Sequence, residues 1–185
     1  MTLHSGRTAP WKALRRASPL LFAAATSAGC QRGDSDGSTT ATSPGTAVVD
    51  HHVDGDTIDL NINGREERVR LTGINTPEVA HDGTPQRPGN DAECFGDAAA
   101  RFVAQLLPVG TEVRLERDVV ARDDYGRLLA YVYRASDGLF VNEAIVRQGF
   151  AQPMTIPPNV AHADTFVEAA RAAESADIGL WTTCR

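Results

Sequence analysis

Residues 57–78 read TIDLNINGREERVRLTGINTPE. Asn63-Gly64 is a strong hairpin signal, because the favoured two-residue turn needs positive φ at both central positions. Residues 57–62 and 65–74 are therefore expected as paired strands. The second run ends at Asn75-Thr76-Pro77-Glu78, where proline cannot donate to a sheet ladder and the chain must leave it. Arg70 and Glu78 thus stand on either side of a strand end, with the neutral Asn75 between them.

Upstream, AVVDHHVDGDTIDLNI (47–62) alternates too loosely for one strand and divides at the turn residues Asp54-Gly55-Asp56. Downstream, residues 77–91 form a long loop, a length that is often functional. CFGDAAARFVAQLL (94–107) puts Ala98, Phe102, Val103 and Leu106 on one helical face, stopped by Pro108 and Gly110. EVRLERD (112–118) alternates as a strand. GRLLAYVYRA (126–135) is apolar on both faces and should be central. Ser136-Asp137-Gly138 turns the chain into a short helix, VNEAIVRQG (141–149), closed by Gly149. After an irregular AQPMTIPPN (151–159), residues 161–177 form the last helix, with Trp181 packed behind it. Three strands, a helix, two strands and two helices predict an α+β, mainly β, fold. Its centre is a five-stranded barrel of the OB type with three appended helices.

The remaining chain reads differently. A basic start (Arg7, Lys12, Arg15, Arg16) and the apolar PLLFAAATSAGC are too short to span a membrane and fit an export signal over residues 1–30. The signal ends at Cys30 after small residues and resembles a bacterial lipoprotein signal, with Cys30 as the lipidated residue. Ser27 stands where such signals usually carry leucine, and plain secretion is the alternative. Residues 31–46, rich in Ser, Thr, Gly and Asp, have little to bury and read as a disordered tether reaching about 20–25 Å. The folded domain is expected over 47–185. Its two cysteines, Cys94 and Cys184, form a disulfide if the protein is exported, the alternative being two buried free thiols. After Cys30 there are 14 arginines, no lysine and all 24 acidic residues, a balance near −10. Such a charge gives no general support for a polyanion partner, so any such binding must be local.

Three fragments concentrate polar groups: DGDT (54–57), RLTGINTPE (70–78) and DDYGR (123–127). Carboxylates mixed with carbonyl oxygens suit a hard cation. Two arginines offer planar forks suited to phosphate oxygens. One glutamate remains to position or deprotonate a water.

In this order the fragments resemble the staphylococcal-nuclease-like (thermonuclease) family: DGDT, a hairpin, R-L-x-x-x-N-T-P-E, then D-x-Y-G-R-x-L-A-Y-V-Y. VNEAIVRQG and the closing GLW extend the resemblance over residues 48–181. It implies Ca²⁺-dependent hydrolysis of DNA and RNA, single-stranded or locally open, by a monomer on an OB barrel. On that resemblance Asp56, Asn75 and the backbone carbonyl of Thr76 hold Ca²⁺, supported from behind by Asp54. Glu78 is the general base, Arg70 and Arg127 bind phosphate, and Tyr125 lies beside the nucleotide. A lipid anchor at Cys30 would tether the enzyme to a membrane.

The sequence departs from the family pattern at Asn75, where aspartate is usual, and at Asp124, which replaces a Lys or Arg. Thr155 and Pro157 stand where the best-known members carry tyrosines. The rival function is a non-catalytic nucleic-acid or ligand-binding OB-type module, which should have lost Arg70, Glu78 or Arg127. His51 and His52, on a strand before DGDT, read as solvated.

Overall fold

The structure, a computed structural model, describes residues 47–79 and 93–184. The expected signal with Cys30, the tether and most of the 77–91 loop lie outside the described residues.

Strands form where β-branched and alternating residues were expected: β1 (Ala47–His52), β2 (Thr57–Ile62) and β3 (Arg65–Leu71). Asn63 and Gly64 take φ of 54° and 82°, so the β2–β3 turn has the geometry its sequence demands. The third strand is shorter than its sequence suggested. It stops at Leu71, Gly73 turns the chain at φ 83°, and a two-residue β4 (Ile74–Asn75) leaves the barrel. Gly73 has a second reason to lack a side chain, since a Cβ there would stand 2.2 Å from the Phe166 ring.

Next come α1 (Gly96–Leu106), β5 (Glu112–Glu116), β6 (Leu128–Arg134) and α2 (Val141–Arg147). A two-residue β7 (Gln152–Pro153), α3 (Ala163–Ser175) and a short α4 (Leu180–Thr183) complete the chain. Strands β1-β2-β3-β6-β5 close into the five-stranded barrel, while β4 and β7 pair separately. β3 and β6 are parallel and the other barrel pairs antiparallel. The appended helices therefore number four among the described residues. The extra one, α4, is a single turn too short to show a period.

Ile58, Leu60, Val69, Leu71 and Val132 are fully buried and fill the barrel. On α1 the buried residues are Gly96, Ala99 and Val103, with Phe102 and Leu106 flanking, so the apolar face is centred one residue beyond the expected one. Phe150 stacks on both Phe95 and Phe102 and fixes this helix. Trp181 packs at the edge of the same core. Asn142, wholly buried, stitches α2 to the barrel. It accepts from Val132 N–H at 2.9 Å and donates to the Thr72 carbonyl at 2.9 Å. His52 is not solvated: it is half-buried, and Nε2 donates to the Leu107 carbonyl at the end of α1, 2.8 Å away. His51 is exposed, as expected. No helix among the described residues is long and apolar enough to cross a membrane.

Cys94 and Cys184 are joined in a disulfide that links the start of α1 to the end of α4, with Cα atoms 5.8 Å apart. Closing a loop of 90 residues removes chain entropy from the unfolded state, worth about 4–5 kcal/mol. Thiol titration of the denatured, unreduced protein should find neither cysteine reactive. Two reactive thiols per chain would contradict the bridge.

Candidate active site

The Asp54–Asp56 turn joins β1 to β2. Asp54 Oδ1 accepts from the Asp56 N–H at 2.8 Å, holding the turn closed. A Cβ on Gly55 would stand 2.8 Å from the Thr76 hydroxyl, so glycine lets the segment after β4 pack directly against the turn. Asp56 is buried beneath it. Its Oδ2 accepts from Thr76 N–H at 2.8 Å and meets Arg70 Nη2 at 2.9 Å, while Oδ1 accepts from the Thr57 hydroxyl at 3.2 Å. Burial pushes the Asp56 carboxyl up to about 6; the Arg70 charge opposes the rise and the Asp54 charge adds to it.

The register explains why Arg70 is there. Thr57 pairs with Arg70 across β2–β3, so the acidic turn and the arginine share one end of the barrel. The Arg70 guanidinium is buried and both its terminal nitrogens are engaged. Nη1 donates to the carbonyls of Leu71 (3.0 Å) and Ile74 (2.9 Å), and Nη2 to Asn75 Oδ1 at 3.1 Å. The β4–β7 pairing of Asn75 with Gln152 fixes the Asn75 backbone.

Arg127 arrives with β6. Parallel pairing of Val69 with Leu128 places it next to Arg70's strand. Asp123 prepares it, accepting from its backbone N–H at 2.9 Å and from Nε at 2.7 Å. The terminal guanidinium nitrogens make no hydrogen bond among the described residues. Tyr125 is 86% exposed, and the Arg127 guanidinium carbon lies 5.4 Å from its ring centre. Asp124 is exposed beside it.

Glu78 is exposed just past Pro77. It joins Asp54, Asp56, Arg70, Asn75, Tyr125 and Arg127 in the lining of one cleft of about 610 Å³. Thr76 alone of the expected site residues is absent from that lining; it is buried, with its N–H on Asp56. Sequence reasoning missed Met154 and Arg68, which also line the cleft. Met154 sits in the irregular 151–159 segment, where no spacing marks it. Arg68 gave a signal in its alternation with Arg70, and its fork is engaged by Asp59 at 2.8 and 2.9 Å.

No three His, Cys, Asp or Glu side chains converge as a metal cluster among the described residues. The cleft nevertheless offers oxygen donors, the Asp56 carboxylate and the Asn75 amide oxygen, with Asp54 beside them, which is the chemistry of a hard cation. The raised Asp56 carboxyl fits as well, since its burial is only partly offset by Arg70.

The family model for staphylococcal nuclease homologues matches residues 68–183, more than half of the chain. The chain belongs to the staphylococcal nuclease family. Among its relatives it is 36% identical over 134 residues to a thermonuclease of Staphylococcus intermedius, covering 72% of this chain and 74% of that one. A thermonuclease of Staphylococcus hyicus is 31% identical over 130 residues, with 70% and 72% covered. Endonuclease YncB of Bacillus subtilis is 33% identical over 137 residues, covering 73% of this chain and 61% of its own. In this chain the acidic turn, Arg70 of β3 and Arg127 just before β6 line one cleft.

The two arginines differ in what holds them, and stability measurements should separate them. Arg70→Lys leaves buried carbonyls without donors and should lower the unfolding free energy by about 1–3 kcal/mol. Arg127→Lys keeps a charge beside Asp123, loses only the Nε hydrogen bond of a partly exposed pair, and should change it by less than about 1 kcal/mol. Urea unfolding of both variants checks the difference.

Proposed function

We propose that this cleft hydrolyses phosphodiester bonds of DNA and RNA with Ca²⁺ as its cofactor. As a nuclease the protein is a hydrolase. The observation that supports the assignment is that one cleft collects Asp56, Asn75, Arg70, Arg127 and Glu78. A non-catalytic module would have no need to keep all three of Arg70, Glu78 and Arg127 together.

Asp56, the Asn75 amide oxygen and the Thr76 carbonyl would hold the ion, with Asp54 fixing the turn behind them. When bound, Ca²⁺ supplies positive charge to a nonbridging phosphate oxygen. Glu78 takes a proton from a water whose oxygen bonds to phosphorus as one P–O ester bond breaks, and the departing sugar oxygen takes up a proton from solvent. Arg127 presents its free terminal nitrogens to the phosphate, and Arg70 adds charge from below. Negative charge grows on the nonbridging oxygens during attack, so donors fixed beforehand stabilise the transition state more than the ground state. Tyr125, at the rim, lies beside the nucleotide.

The protein is read as exported and monomeric: residues 1–30 a lipoprotein-type signal with Cys30 lipidated or, failing that, a secretion signal; residues 31–46 a tether; residues 47–185 the enzyme. The Cys94–Cys184 bridge supports an oxidising compartment.

Purified protein should degrade DNA and RNA with Ca²⁺ and stop when a chelator is added. Activity that survives the chelator would remove calcium from the scheme. Glu78→Gln should fold normally and lose a factor of about 10²–10⁴ in kcat, because an amide cannot accept the proton. Near-full turnover in that variant would refute Glu78 as base. Asn75→Asp restores a charge to the ion site, and calcium affinity follows ligand charge. It should lower the calcium concentration for half-maximal activity about tenfold, equivalent to roughly 1.4 kcal/mol. An unchanged midpoint in calcium titrations of both proteins would take Asn75 out of the ion site.

A further inference from the structure

We infer that Glu78 is set in place by a clamp that the Cys94–Cys184 disulfide locks, so that full turnover belongs to the oxidised enzyme. The inference rests on the reading of Glu78 as the base. Glu93 and the bridge are then positioning groups for the reaction.

Glu78 lies beyond β4, and residues 76–79 belong to no helix or strand. Glu93 supplies what the sheet does not. Its N–H donates to the Glu78 carbonyl at 2.9 Å, and its Oε2 accepts from the Glu78 N–H at 3.2 Å. The far side of the clamp is steric. Gly96 is buried at the start of α1, where a Cβ would stand 2.1 Å from the Glu78 carbonyl oxygen.

Both glutamates are exposed, and two exposed hydrogen bonds are weak unless their partner is already held. Cys94, next to Glu93, is bonded to Cys184 at the end of α4. That helix is seated firmly. Leu180 is buried, and its N–H donates to the Gly149 carbonyl at 2.8 Å. Gly179 and Gly149 meet backbone to backbone, since a Cβ on Gly179 would stand 2.3 Å from the Gly149 oxygen. A continuous path therefore runs from α2 through α4 and the bridge to Glu93 and Glu78. Pro77, Glu93, Cys94, Leu180 and Cys184 line the same small cavity beside Asn75.

Misplacing a reacting group by about 1 Å can cost about 10²-fold in rate. Both cysteines are exposed, so a small dithiol can reach the bridge. The dithiol gives the bridge two electrons and two protons, releasing two thiols and leaving as its own cyclic disulfide. Reduction of the full-length protein should lower kcat about 10–100-fold with KM within about twofold and the far-ultraviolet circular dichroism unchanged. The double variant Cys94→Ser/Cys184→Ser should behave the same without reductant. Glu93→Ala should lower kcat with the bridge intact, and Glu93→Gln, which keeps an oxygen for the Glu78 N–H, should recover most of it. In Glu78→Gln, reduction should change the residual rate no further. If Glu78→Gln is inactive while the reduced protein and Glu93→Ala keep full kcat, the clamp is wrong and the base stands. If Glu78→Gln itself stays active, the base assignment falls and the clamp with it. Should reduction unfold the protein, Glu93→Ala alone decides.

Discussion

The Arg70 guanidinium sits at the end of the barrel, its side chain only 10% exposed. Its charge is met by Asp56 at 2.9 Å and its donors by Leu71, Ile74 and Asn75. A buried charge is tolerated only when it is paired and hydrogen-bonded, and breaking such a pair typically costs about 3–5 kcal/mol. That requirement shapes the neighbourhood. It draws the acidic turn, the end of β3 and the β4 segment around one cation. The Thr76 N–H then falls on the free side of the same Asp56 oxygen. The cleft is thus assembled by satisfying an arginine, and any ion or phosphate that enters must engage groups whose geometry the arginine has already set.

The barrel was legible because its strands carry their own punctuation. Asn63-Gly64 and Asp54-Gly55-Asp56 mark turns, and the apolar run in β6 could only be central. The polar fragments stood out by density and took their roles from the family resemblance; the structure brings the turn before β2 to the end of β3, where Thr57 pairs with Arg70. What escaped detection had no period to betray it. β4 and β7 are two residues each, too short for alternation. β3 ended early because Gly73 turns the chain at φ 83° against the Phe166 ring, a tertiary contact invisible in a run of strand-forming residues. Glu93 gave no sign, since its partner is a backbone fifteen residues away. His52 looked solvated because the end of α1 that covers it comes from another part of the chain.

Charge also resolves once partners are known. Arg68, Arg122, Arg134 and Arg147 each face a carboxylate from their own chain. Much of the positive charge among the described residues is therefore spent internally, and the cleft itself sets Arg68, Arg70 and Arg127 against Asp54, Asp56 and Glu78. Arg127 is different because Asp123 takes only one edge of its fork. Beyond about 8–10 Å, salt screens the rest of the surface from that site.

Barrel closure has a consequence for how the protein is made. β1 meets β5 through Ala47 and Val113, and β3 meets β6 through Val69 and Leu128, so the closing contacts join distant parts of the chain. Such non-local pairings form slowly, because loop entropy is lost before any contact repays it. The hairpin that carries Asp56 and Arg70 can form early, but Arg127 reaches the cleft only when β6 docks. A half-synthesised chain therefore holds the acidic turn without the β6 arginine, and the phosphate grip is completed in the same event that completes the fold.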